Sequence, residues 1–128
     1  MTRLAIGLLA VLAIACSHTT LPGLPLTLET AAPNRDCPAA ALQPVRVGRA
    51  GDVMEFVAVA DGQPVAVVWP AGFAARVVDG VATLYASDGE KIATEGDVLR
   101  GLGGAEDPAG SKFFVCSIGQ RTYGSEPA

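Results

Sequence analysis

Apolar and polar positions follow three different patterns along the chain. Leu4 to Ala15 form an unbroken apolar run behind Arg3. Its length of about twelve residues suits the apolar region of an export signal and falls short of the ~20 needed to cross a bilayer. From Ser17 to Pro44 the apolar residues keep no period, and prolines at 22, 25, 33, 38 and 44 oppose both helix and central strand. Beyond Pro44, short β-branched runs alternate with Asp-Gly and Glu-Gly dipeptides, the strongest local signal for hairpin turns.

Those runs predict the strands. Val53 to Ala60 leads into Asp61-Gly62, and Val65 to Trp69 follows. Phe73 to Val78 leads into Asp79-Gly80, Val81 to Ala86 into Asp88-Gly89, and Lys91 to Thr94 into Glu95-Gly96. Val98 to Arg100 and Lys112 to Ile118 complete six or seven strands, and nowhere does an apolar period of about 3.6 persist over three turns. The expectation is an all-β fold, a small single antiparallel barrel or sandwich of OB or SH3-like size. Phe56, Ala58 and Ala60 share one side of their strand, and Val53, Val57 and Val59 the other. Val65, Val67 and Trp69 alternate more clearly, with Val77, Leu84, Ile92, Val98, Phe114 and Cys116 as expected core partners. The resulting division is a signal peptide at 1–15, a Pro-rich tether at 16–44, a β-domain at 45–119 and a flexible C-terminal tail at 120–128.

Charge narrows the partners. Loss of Arg3 with the signal takes the nine Lys and Arg to eight, against thirteen Asp and Glu, for a formal charge of −5. Arg46, Arg49, Arg76, Lys91, Arg100, Lys112 and Arg121 stand singly among acids, so the clustered cations of a nucleic-acid surface are missing from the sequence. Anionic lipid is repelled for the same reason.

The apolar run ends Ala13-Ile14-Ala15-Cys16. Small residues before a cysteine at this place resemble the lipobox of bacterial lipoproteins, with Ala13 where that family prefers Leu. The resemblance implies cleavage before Cys16, acylation of its thiol, and a membrane anchor on the cell envelope facing the periplasm or exterior. Ordinary secretion, with Cys16 incidental, is the competing reading, and a cytoplasmic protein the third. If Cys16 is acylated, Cys37 and Cys116 remain as a pair in an oxidising compartment, where a disulfide is expected. A bridge closing about eighty residues suits a domain with few large side chains for its core.

The sequence offers little to an enzyme. The sole histidine, His18, lies in the tether, so no Ser-His-Asp or Cys-His set assembles in the domain. Ser87 or Ser111 with Lys91 or Lys112 would make a Ser-Lys pair, but each flanks a turn. Asp88, Glu90, Glu95 and Asp97 read as solvated hairpin acids in preference to paired carboxylates or a calcium site, since the EF-hand spacing is absent. Gly101-Leu102-Gly103-Gly104 lacks the Lys-Ser/Thr of a phosphate loop and reads, through Gly110, as a mobile connection. No catalytic residue, metal or cofactor is assigned.

One segment stands out. In Val68-Trp69-Pro70-Ala71-Gly72-Phe73, Pro70 and Gly72 make a rigid corner that either buries Trp69 as the core residue or displays Trp69, Pro70 and Phe73 beside Arg76 as an interaction patch. A Trp-Pro-x-Gly-Phe corner before a Val-x-Asp-Gly hairpin, here Trp69 to Phe73 and Val77 to Gly80, resembles small exported bacterial β-domains. That resemblance implies one β-domain over Val53 to Ile118 and carries over no binding or catalytic residue. The expected function is non-enzymatic, an envelope-anchored module for protein interaction or assembly. The alternative is a binder of a small ligand or glycan.

Overall fold

Asp79 and Gly80 both adopt positive φ, 52° and 78°. This is the conformation that a two-residue hairpin loop requires, and it fixes the pairing of Ala74–Val78 with Val81–Tyr85. The computed structural model describes residues 21–33, 37–38 and 40–123. The fold is all-β: β1 Leu24–Leu26, β2 Ala40–Ala41, β3 Val45–Ala50, β4 Val53–Ala58, β5 Val67–Val68, β6 Ala74–Val78, β7 Val81–Tyr85, β8 Lys91–Thr94, β9 Val98–Leu99, β10 Leu102–Glu106, β11 Phe113–Ile118 and β12 Arg121–Thr122.

These strands form three sheets, not one closed barrel. The first has the order β1-β6-β7-β8 and the second β4-β3-β9. The third runs β12-β11-β10-β2, with β5 added in parallel beside the start of β11. All other strand pairs are antiparallel. Short strands explain the open arrangement, because two- and three-residue pairings cannot carry a continuous ladder round a barrel. Instead the sheets meet on one core through Trp69, Val45, Val47, Leu84 and Leu102, each essentially inaccessible to solvent. Each fully buried side chain of the Val or Leu kind contributes about 1.5–3 kcal/mol. On β3 and β4 Val45, Val47, Met54, Phe56 and Ala58 face inward and Arg46 and Val53 outward, and only at the end of β3 does the core face open, where Arg49, in phase with Val45 and Val47, is exposed. On β7, flanked by strands on both edges, Ala82 to Tyr85 are buried on both faces, and Thr83 gives its hydroxyl proton to the Val81 carbonyl at 3.2 Å.

Several expectations are corrected. The described part of the supposed 16–44 tether belongs to the domain. β1 pairs with β6, Thr27 bridges to Val53, Thr30 bridges to Trp69, and β2 pairs with β10. Pro25 is compatible with this because β1 is an edge strand, where a missing N–H breaks no ladder. The supposed tail is likewise structured at its start: β12 pairs with the end of β11, and Tyr123 is buried. The Gly101–Gly110 connection contains β10, a five-residue strand with a register shift at Gly103/Gly104. Glycine is required there by close approach, since a Cβ on Gly104 would lie 1.8 Å from the Phe114 carbonyl oxygen. Phe114, expected in the core, is exposed.

Candidate functional site

The expected disulfide is present. Cys37 and Cys116 are bonded, with Cα atoms 5.5 Å apart. The bridge fastens an exposed segment to β11, and beside it lies a cavity of about 460 Å³. Strand alternation builds its floor. Phe113 and Val115 point to the core, so Phe114 and Cys116 take the opposite face of β11. Ala105 stands directly across from Phe114 in register and is small enough to leave space above the ring. Pro70 and Ala71 close one side, Ala31, Ala32 and Pro38 another, and Glu106, Asp107 and Pro108 form a rim.

Phe114 is 38% exposed, while every other aromatic side chain of the protein is buried. Tyr123 completes the lining, held by its backbone N–H to the Cys116 carbonyl at 2.6 Å and by an edge-on contact with Phe73, ring centres 5.0 Å apart. Arg121 lies 5.1 Å from the centre of the Tyr123 ring and pairs with Asp88 and Glu90, which ties β12 to the β7–β8 turn. Burial raises the Tyr123 hydroxyl above its ordinary pKa, so the ring presents a neutral phenol at physiological pH.

The rim acid Asp107 is occupied within its own loop. Its carboxylate accepts from the Ser111 hydroxyl at 2.7 Å and from the N–H groups of Ser111 and Lys112 at 2.6 and 3.1 Å. Those bonds, the Ser111 hydroxyl foremost, hold it below its ordinary pKa. Several other acids near turns also serve the backbone or a cation. Asp88 accepts from the Glu90 N–H, Glu95 from the Ala82 N–H, and Asp97 from the Thr94 N–H and hydroxyl. Ser111 donates to Asp107, and Lys112 pairs with Glu29, whose carboxylate raises the Lys112 pKa, so the two do not form a Ser-Lys pair. Among the described residues no group of three or more His, Cys, Asp or Glu is arranged to hold a metal ion.

Of the two readings of the corner, the buried tryptophan holds and the surface patch does not form. Trp69 is fully buried, stacked on Phe73 at 5.9 Å and tilted against Phe56 at 5.0 Å. Phe73 is 5% exposed. Arg76 is half-buried and donates to the Leu21 carbonyl at 3.1 Å, away from any aromatic display. Of the four residues only Pro70 reaches the cavity. The reason is the corner itself: Gly72, at φ 84°, packs where a Cβ would lie 2.8 Å from Ser87, and this folds Phe73 back beneath Trp69. Cys16 lies outside the described residues.

Reasoning from sequence missed Phe114 and Tyr123 as cavity residues. The signal for Phe114 was present in its two-residue spacing from Cys116, which places both on one face of a strand. Tyr123 gave none, since its role depends on the pairing of β12. No protein-family model, curated protein or solved structure matches the chain. The geometry therefore stands alone.

Proposed function

We propose that the protein is exported, cut before Cys16 and anchored to the cell envelope through its acylated thiol, and that its β-domain binds a small apolar ligand. The exposed Phe114 ring on the floor of the cavity carries this reading. A volume of about 460 Å³ falls within the ~300–1,000 Å³ usual for small-molecule sites, and such sites are lined mainly by apolar side chains. Alanines, prolines and two aromatics suit an acyl or aromatic group better than a glycan, which needs several polar partners. A binding role is favoured over catalysis because Cys116, which lines the cavity, is bonded to Cys37 and the Asp107 carboxylate is engaged in its loop. The disulfide supports an oxidising, exported setting. A protein-binding patch at the Trp69 corner is not favoured, since that tryptophan is in the core.

Fluorescence titration of the purified protein with N-phenyl-1-naphthylamine, a neutral apolar probe, tests the site. Saturable binding is expected, weakened at least tenfold by Ala105→Leu, which fills the cavity, and by Phe114→Ser, with the thermal midpoint of Phe114→Ser nearly unchanged. Binding that never saturates, or that both variants leave intact, rejects the ligand site. The anchor has its own test: the intact mass of protein from host membranes must show loss of residues 1–15 and acyl mass on Cys16.

A further inference from the structure

We infer that the β1 edge, from Leu21 to Pro25, is a membrane-contact surface that holds the domain against the bilayer. The inference rests on the proposed acyl anchor at Cys16. Four residues separate Cys16 from Leu21. At no more than ~3.6 Å per residue, Leu21 stays within about 18 Å of the anchoring residue whatever path they take. A further three residues along, the chain is fixed: Leu24, Pro25 and Leu26 pair in register with Val77, Arg76 and Ala75 of β6. The segment expected to lift the domain off the membrane therefore brings one edge of the first sheet to it.

The chemistry of that edge fits the place. Leu24 is 71% exposed, the most exposed of the large apolar side chains among the described residues. Pro22 and Pro25 are exposed beside it, and Leu21 is half-buried. No Asp, Glu, Lys or Arg occurs between Cys16 and Leu28, where His18 is the sole titratable side chain. An added strand is a poor occupant, because Pro25 takes a donor from this edge and blunts it against pairing with another chain. A bilayer needs no such donor. The charge of −5 on the mature chain selects zwitterionic lipid, which has no net charge, over anionic lipid. Asp79 lies two residues beyond Val77, the partner of Leu24, and limits the contact to the interfacial layer.

The test uses the full acylated protein with Leu24→Cys carrying a nitrobenzoxadiazole label, bound to phosphatidylcholine vesicles. The cysteines of the disulfide are closed to the reagent. Emission is expected to shift to the blue and to fall at least twofold when the vesicles contain lipid with a nitroxide at acyl carbon 5, relative to the Cys16→Ser protein as the unquenched reference. Emission like that in water, without quenching, from protein that floats with the vesicles overturns the contact while leaving the anchor intact. Protein that carries no acyl mass on Cys16 removes the anchor, and the inference falls with it.

Discussion

Trp69 joins the sheets at the level of single side chains, because its indole touches both Phe56 on β4 and Phe73 before β6. Trp69→Ala is expected to cost about 3–5 kcal/mol, the range for emptying an aromatic core site. In a domain of this size that lowers the thermal midpoint by at least about 12 °C, readable by calorimetry. Trp69→Phe should cost far less than the alanine change, because the indole N–H is buried without a hydrogen-bond partner and its removal relieves part of the loss. Equal losses for the two variants would refute that account. Asp107 gives a second expectation, in pH. Its folded-state pKa lies below the unfolded value, so its bonds are fully present above the ordinary carboxylate range and are lost as pH falls through the lower folded value. The amide shifts of Ser111 and Lys112 should titrate together with the Asp107 carboxyl in that window, and Asp107→Ala should abolish the common midpoint. At this scale the sequence left Trp69 between core and surface. Pro70 and Gly72 made the corner legible, but which side of it meets other elements depends on Ser87 and Phe56, distant in the chain.

Strand by strand, legibility followed locality. Val78 and Val81 face each other across Asp79-Gly80, so β6 and β7 were readable from a turn of two residues. β8 also matches its expected bounds. β1, β2 and β12 have two or three residues each and exist only because a distant partner offers an edge, which leaves no periodic trace. β10 was hidden differently. Gly103 and Gly104 look like loop residues, yet at Gly104 the Phe114 carbonyl approaches the backbone too closely for any Cβ. Gly104→Ala is thus expected to break the β10–β11 pairing and lose the amide protection of both strands. The disulfide couples these non-local pieces. Its partners are 79 residues apart, and the Cys37→Ser, Cys116→Ser protein is expected to lose about 4.5 kcal/mol on the chain-entropy account. The urea midpoint with and without reductant measures it. Reductant should destabilise the native protein and leave the double variant unmoved.

For the molecule as a whole, the question is where the cooperative unit begins and ends. A reading of local patterns places it at 45–119, but that span omits three strands, one half of the disulfide and Tyr123. The omitted parts are not peripheral. Leu26 is buried in the core, the Trp69 N–H donates to the Glu29 carbonyl, and the Ala31 N–H donates to the Trp69 carbonyl. Without residues 21–44, the backbone on both sides of the central indole loses its partners, and the exposed flank of β6 has no strand to cover it. Without residues 120–123, Phe73 loses the ring packed on its edge. A domain this small has little stability in reserve, commonly about 5–15 kcal/mol in total, and these losses together are of that order. A chain cut to 45–119 is therefore expected to show no cooperative thermal transition and poorly dispersed amide resonances. A chain of 21–123, which keeps every described element and closes the disulfide, should unfold in one transition near that of the mature protein. Were 45–119 to melt cooperatively at a similar temperature, residues 21–44 would be a strap laid over a finished domain, and the membrane contact at β1 would then position a removable segment instead of the fold itself.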